Sequence, residues 1–293
     1  MPRLTLARLN AYRAQTYRLK PARRVKTIDE ALAFVEARGF VYFWPIKGVE
    51  LPSLWAAVAG DRPVADEHDD PGHITWGWKD QWLGARRWYY AKLLRGKATL
   101  VALPVVPYFY ALSENFGDWR ADYLELFAAG RLTADARAVY EALLEKGPLH
   151  TLALRKEARL TSKGSNARFE KALVELQTGL RILPVGVAQA GAWRYAFIYD
   201  IVDRHFPDLA AQAGSITRVD ARAHLAGLYL DSVGAARAQD AQRLFRWTVE
   251  ETRRVWERLA DEGRALRLEA VAGVPGEWLA TPRLFGAGGD HGQ

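Results

Sequence analysis

Between residues 133 and 201 the apolar pattern changes period twice. TADARAVYEALLEK (133–146) carries apolar residues at helical spacing and stops at Gly147-Pro148. LHTLALRKEARL (149–160) continues as a second helix, and TSKGS is a turn. Asn166 to Thr178 forms a third helix, with Phe169, Leu173 and Leu176 on its inner face and Arg168, Lys171 and Glu175 on the opposite one. LRILPVGVA, a turn at AGA, and WRYAFIYDIV then make a two-stranded hairpin. Three helices followed by a hairpin is the winged-helix order, in which the third helix can enter a major groove and the hairpin can touch the backbone.

The order recurs toward the C-terminus. VDARAHLAGLYLDSVG (219–234) and AQDAQRLF (238–245) supply two helices. Thr248-Val249-Glu250-Glu251 has the form of a capping box and opens a third, which buries Thr252, Val255, Trp256 and Leu259. RALRLEAV and GEWLATP close a hairpin across GVPG. Three segments share a basic amphipathic helix, a glycine and a strand: RRWYYAKLLRGKATLVAL (86–103), ARFEKALVELQTGLRILPVG (167–186) and TRRVWERLADEGRALRLEAV (252–271). Their glycines, Gly96, Gly179 and Gly263, lie at a near-constant interval, which suggests three tandem copies of one small domain. The expected organisation is mainly α with small β-hairpins: three winged-helix units in a C-shaped arrangement. The first spans 1–130 with an insertion near 61–75, the second 131–210 and the third 211–285, before a flexible tail at 286–293. By this alignment residues 86–95 belong to a third helix, although Arg86 then falls where Phe169 is buried.

A chain of 293 residues, nearly half apolar and a quarter charged, has the profile of a soluble globular protein of two or three domains. It has no cysteine, so disulfides, thiolate metal sites and cysteine nucleophiles are excluded. No apolar run approaches the roughly 20 residues of a membrane span. The net charge of +7 points to anionic partners. Residues 1–26 hold eight basic residues and no acid; TLARLNAYRAQTY reads as a basic helix rather than a transit peptide, its cations either solvated or set against phosphate.

Residues 76–90, WGWKDQWLGARRWYY, put four tryptophans and two tyrosines among basic residues. Large aromatic residues belong in a core by default, so Tyr90 and some of Trp76, Trp78 and Trp82 are expected there. Trp88, Arg86, Arg87, Lys92, Arg95 and Lys97 are the candidates for a wet, anion-facing rim. In the other two copies the corresponding candidates are Lys163, Asn166, Arg168 and Lys171, and Arg246, Thr248, Arg253 and Arg254. The plainer reading of each set is a solvated polar face.

The chain also resembles a known family, the winged-helix DNA glycosylases of the YcaQ/AlkZ type, which unhook interstrand crosslinks and remove bulky alkylated bases. LRGKATLVALPVVPYFYAL (94–112) looks like the family's R-G-T-L-H-L-V segment, RLNAYRAQTYR (8–18) like its first helix, and YLDSVGAARAQDAQRLFRWTVEETRRVWERL (229–259) like its last winged helix. The resemblance implies double-stranded DNA, damaged or alkylated, as partner, a monomer, no cofactor, no metal and a cytoplasmic, nucleoid-associated location. It also implies a catalytic Gln-x-Gln or Gln-x-Asp motif. The matching stretch, ARGFVYFWPIKGVELPSLW (37–55), carries Tyr42 and Trp44 at the motif positions, and the family's histidine falls at Thr99. Breaking an N-glycosidic bond needs a group that accepts a proton or hydrogen bond from the attacking water. An indole offers only a donor, and a phenol is a poor base at neutral pH. Tyr42 and Trp44 could stack on a base or wedge a duplex, but could not replace those acceptors. The insertion offers Asp66, Glu67, His68, Asp69, Asp70 and His73 as substitutes, the plainer reading being a solvated acidic loop; Asp80 and Glu50 are outside candidates. The alternatives to a DNA-binding protein without the usual motif are an active glycosylase using other residues, or a winged-helix transcription regulator.

Overall fold

Thr5, Thr27, Ser53, Thr133 and Thr248 each accept the backbone N–H three residues on and so start helices Leu6–Thr16, Ile28–Arg38, Leu54–Ala59, Ala134–Lys146 and Val249–Asp261. The computed structural model describes residues 4–192, 194–271 and 273–286; the tail expected beyond Gly286 lies outside them. It is mainly helical with small antiparallel sheets. One order of elements occurs three times along the chain: helix, short strand, helix, helix, then two strands. The first series is Ile28–Arg38, Phe40–Tyr42, Leu54–Ala59, Ile74–Gly84, Tyr89–Lys92 and Ala98–Val101. The second is Ala134–Lys146, Leu149–His150, Thr151–Glu157, Asn166–Thr178, Ile182–Ala188 and Ala196–Ile201. The third is Arg218–Val233, Ala235–Arg237, Ala238–Phe245, Val249–Asp261, Leu266–Val271 and Val274–Ala280.

In the second and third series the last strand lies in the middle of a three-stranded sheet, with the short strand on one side and its hairpin partner on the other. Tyr199 faces Leu149 and Pro184, and Trp278 faces Arg237 and Leu268. Asn166–Thr178 has the expected bounds and buries Phe169, Leu173 and Leu176. Val249–Asp261 has the expected capping box and buries Thr252, Val255, Trp256 and Leu259.

Three expectations need correction. Residues 86–95 are not a helix. The preceding helix ends at Gly84, Arg86 turns the backbone through a left-handed conformation (φ 49°), and Tyr89–Lys92 pairs with Ala98–Val101. Gly96 therefore sits in the turn of a hairpin, whereas Gly179 and Gly263 follow helices, so the constant interval joins unlike positions. The run Trp88-Tyr89-Tyr90 has the large, flat side chains a strand packs well, and that preference overrides the basic helical spacing around it. Secondly, the segment expected as helix 149–160 begins with two strand residues. Leu149 and His150 pair with Tyr199 and Ile198, and helix begins only at Thr151. Thirdly, the last hairpin pairs Val271 with Val274, so only the start of GVPG (273–276) lies at the turn, and Pro275-Gly276 runs on within the strand.

The chain divides into two compact units, Met1–Thr75 with Val219–Gln293, and Trp76–Arg218. In the first, the N-terminal basic helix is tied down from the far end of the sequence. Arg8 donates to the carbonyls of Leu284 and Phe285, Tyr12 to that of Asp231, and Arg13 to that of Val233. Leu4 and Leu9 pack with Ala235, Leu268, Val271, Ala280 and Leu284. Arg8, though exposed, and the half-buried Arg13 thus satisfy backbone acceptors, and Glu50 is ion-paired to Arg13 at 3.0 Å.

The second unit is built on Val139, Tyr140, Leu143, Leu154, Phe169, Leu173, Leu176, Ile182 and Ile201. A buried cation stands beside this core. Lys79 is 1% exposed, and its ammonium is surrounded by the rings of Phe197 (4.4 Å), Trp76 and Tyr90 (each 5.4 Å) and Tyr195 (5.6 Å). It donates to Asp80 and, at 2.8 Å, to the Tyr195 oxygen, while the Tyr195 hydroxyl donates to Asp80 at 3.0 Å. The triad fastens the 74–84 helix to the 182–201 hairpin. Trp78 is buried, Trp82 half-buried and Trp76 42% exposed.

Candidate nucleic-acid interface

The strand Phe40–Tyr42 follows a helix that Gly39 ends with a positive φ of 78°. Tyr42 donates its N–H to Pro52, and Phe43 accepts from Trp55, which draws the strand beneath the 54–59 helix. Phe40, Val41, Tyr42 and Phe43 are consequently buried, and Tyr42 is 0% exposed. The suggestion that Tyr42 could stack on a base is therefore corrected: its ring belongs to the core. Trp44 is half-buried where the chain leaves this core, its ring edge-on to Phe43 (4.7 Å) and His73 (5.9 Å) and tilted against Trp55 (6.4 Å). Thr99 is also buried, its hydroxyl donating to Lys97 and accepting from Leu94 inside the 89–101 hairpin turn.

The insertion is partly a built structure. Arg62 lies over the Trp55 ring at 4.8 Å and donates to both oxygens of Asp70, at 2.7 and 2.9 Å. Asp70 also accepts from the Gly72 N–H. The Arg62 guanidinium, then the Gly72 N–H, holds the Asp70 carboxyl below its ordinary range, so it stays ionised. Asp66, Glu67, His68 and Asp69 are exposed. Among the described residues no group of three or more acidic or histidine side chains could hold a metal ion. His73 closes the segment: its Nε2 donates to the Ala65 carbonyl at 3.0 Å, and its Nδ1 is buried with no hydrogen-bond partner among the described residues. The sequence placed His73 within reach of chemistry only as one member of a charged run, and its position against Trp44 depends on folding of the intervening residues.

The expected cations fall into two classes. In the second unit Arg86, Arg87, Arg95, Lys97, Lys163 and Lys171 are exposed and make no ion pair among the described residues. Arg95 and Lys97 flank the turn of the 89–101 hairpin. Gly96 in that turn approaches the 166–178 helix so closely that a Cβ there would stand 3.0 Å from Val174. Lys92 is half-buried and pairs with Glu170 of the same helix at 3.3 Å, while its N–H donates to the Gln177 side chain. Arg95, Lys97 and Lys171 are thus brought to one helix, with Asn166 exposed at its first turn and Lys163 just before it. Arg168, on the same helix, is clamped by Asp135 through two hydrogen bonds. Trp88 is corrected outright: at 2% exposure it is a core residue, carried inward by the strand that replaces the expected helix.

The third set behaves differently. Arg253 bonds Glu250 and Glu257, and Arg254 bonds Glu250. Its neighbour Arg258 pairs with Asp220 and Glu262. The Glu250 carboxyl, held by Arg253 and Arg254, is lowered to about 2. Thr248 is committed to the cap of its helix, and Arg246 ends the preceding one in a left-handed conformation (φ 59°). The two third helices therefore present unlike faces, one with unpaired lysine charge and one laced with internal ion pairs.

No curated protein matches the chain. Among solved structures, the DNA glycosylase AlkZ of Streptomyces sahachiroi matches with a TM-score of 0.57 and 16% identity, over 96% of this chain and 71% of that one. At that identity the likeness is one of fold. The family model described as AlkZ related matches residues 25–246, which is most of the sequence, and the chain belongs to the AlkZ-related family.

Proposed function

We propose that this is a DNA-binding protein related to the crosslink and alkylation-repair glycosylases, recognising duplex or damaged DNA without the family's usual catalytic motif. Its three helix–strand–helix–helix–hairpin series are taken as three tandem winged-helix units, 1–130, 131–210 and 211–285, enough in one chain to engage a duplex as a monomer. The observation that carries the reading is the group of unpaired cations around the 166–178 helix, Arg95, Lys97, Lys163 and Lys171. A solved structure of similar fold is that of a DNA glycosylase, and family membership agrees with a nucleic-acid partner. Phosphate contact by lysine and arginine releases counterions, so log Kd should change linearly with log salt, by about 0.9 for each phosphate neutralised on a duplex.

The test is duplex binding measured from low to moderate salt. Replacing Arg95, Lys97, Lys163 and Lys171 together by alanine is expected to flatten the salt slope by about 3–4 and to weaken all sequences alike. Arg168→Ala, whose charge is already matched by Asp135, is expected to change it by less than half a unit. A salt-independent affinity, or none, overturns the proposal, and a loss confined to one sequence favours a transcription regulator. An active enzyme using other residues is the second reading, and release of an alkylated base well above its spontaneous rate of loss would favour it.

A further inference from the structure

We infer that a cavity in the second unit, lined by Arg86, His205, Phe206 and Asp208, binds the ring of a guanine base. The inference stands on that cavity and is independent of the duplex-binding reading above.

Three connections meet at the cavity. Helix Ile74–Gly84 ends, and Arg86 takes its left-handed conformation in the turn that follows. Leu103 follows the strand Ala98–Val101, and Val106 opens the helix Val106–Leu112. His205 ends the short helix Val202–His205, and the chain turns through Phe206 and Asp208 into helix Leu209–Gly214. Backbone bonds hold that turn: the N–H of Phe206 donates to Val202 at 2.8 Å, that of Leu209 to Phe206 at 3.1 Å and that of Gln212 to Asp208 at 2.9 Å. The cavity volume is about 250 Å³. Sites for drug-sized ligands run from about 300 Å³ upward, so this one suits a single small ring system.

Leu103, Val106 and Leu209 give the cavity apolar walls, and Phe206 adds a ring. Arg86 and Asp208 are exposed and line the same space, yet they pair neither with each other nor with any other described residue. His205 is half-buried, and neither of its ring nitrogens has a hydrogen-bond partner among the described residues. Burial first, then the charge of Arg86, lowers its pKa to about 4. The imidazole is therefore neutral at pH 7, with one nitrogen donating and the other accepting.

A guanidinium fork binds two acceptors, and a carboxylate accepts from two donors. Guanine presents O6 and N7 as two acceptors on one edge, and N1–H and the 2-amino group as two adjacent donors on another. Adenine and cytosine each put one amino donor beside one ring acceptor, and thymine sets a donor between two acceptors. None of the three fills both forks. Bases outside a stack are held in this manner, by hydrogen bonds to an edge and by aromatic or apolar side chains against the faces. Free guanosine and a guanine carried on a strand present the same ring, and the experiment separates them.

The experiment is a ligand-observed NMR titration of the full chain with guanosine, inosine and adenosine. Guanosine is expected to bind about tenfold or more tighter than adenosine, with inosine, which lacks the 2-amino group, in between. Arg86→Asn tolerates the left-handed backbone but is too short to reach the ring, and should weaken guanosine about tenfold or more. Asp208→Asn sets an amide N–H₂ where the 2-amino group needs an acceptor, so guanosine should lose its advantage over inosine. A merely structural role for Asp208 would not change that ratio. Displacement of guanosine by a guanine-bearing single strand, and not by oligothymidine, identifies a strand as the source; failure of both to displace it identifies the free nucleoside. No saturable binding of guanosine up to about 1 mM overturns the inference. So do equal affinities for guanosine and adenosine, or guanosine binding unchanged in both variants while far-ultraviolet circular dichroism shows them folded. Loss of duplex binding alone leaves the inference standing.

Discussion

Replacing Lys79 by methionine keeps the length of the side chain and removes its charge from among four rings. In the wild type the ammonium has lost its water, a cost of several kcal/mol, and regains stability from one carboxylate, one phenol oxygen and the faces of Phe197, Trp76, Tyr90 and Tyr195. Removing one partner of a buried pair costs about 3–5 kcal/mol. Asp80, though, keeps 18% of its side chain exposed and still receives the Tyr195 hydroxyl, so about 2–3 kcal/mol is expected for Lys79→Met. Asp80→Asn leaves the ammonium buried without its anion and should cost about 3–5 kcal/mol. The double variant, with a neutral amide and an apolar chain among the rings, should lie within about 1 kcal/mol of wild type. Hydrogen exchange of the 182–201 hairpin amides reads the second unit directly, and urea unfolding gives the global value. A Lys79→Met variant that is neutral alone, or two losses that simply add, would show that the pair is not coupled in the native state. The pH dependence supplies an independent check. Burial, the largest cause, lowers the Lys79 pKa below its ordinary 10.5. As pH rises toward 10.5, the unfolded chain therefore holds a proton that the folded chain has released, and folding gains. Burial raises the phenols of Tyr90 and Tyr195, which gives the opposite slope from about pH 10 upward. Measured against Lys79→Met at each pH, wild type should gain stability as pH climbs to 10; a flat difference would show that the ammonium is not desolvated in the native state.

Two further substitutions test local geometry in the first unit. Gly39→Ala places a Cβ at a φ of +78° and 2.6 Å from a Leu228 methyl, so a loss of about 2–3 kcal/mol in urea midpoint experiments is expected, with an unchanged slope on denaturant. Thr248→Ala removes the hydroxyl that receives the Glu251 N–H and breaks a reciprocal cap; about 1 kcal/mol should be lost, and fraying at residues 249–251 should appear in hydrogen exchange.

The elements legible in the sequence were those where local rules agreed with packing. Asn166–Thr178 has one apolar face and a glycine just past its end, and Val249–Asp261 has a reciprocal cap before its apolar residues; both occur with the expected inner faces. Residues 86–95 misled because basic residues at helical intervals lay over a strand, and only the left-handed Arg86 and the pairing of Tyr90 with Leu100 show why a helix is impossible there. The candidate site was less legible for a different reason. Arg168 and Arg253 look alike as exposed cations in sequence, yet their charges are matched by Asp135 and by Glu250 and Glu257, and Asp135 lies a full helix away. The approach of His73 to Trp44 spans a loop, a helix and an insertion, so no periodicity encodes it. Tyr42 was placed by resemblance at a reactive position, and its burial follows from the backbone bond to Pro52, which composition does not reveal.

The ties from Arg8, Tyr12 and Arg13 to residues 231–285 fix an order of assembly on the ribosome. The stretch from Trp76 to Arg218 is continuous and carries its own core, so it can fold as soon as it emerges. The opening helix must wait, its guanidinium groups solvated, until the residues up to 285 have been translated. A nascent chain stalled before residue 230 would therefore have a finished middle and an unfinished beginning, and limited proteolysis of such chains would cut first at the amino-terminal arginines.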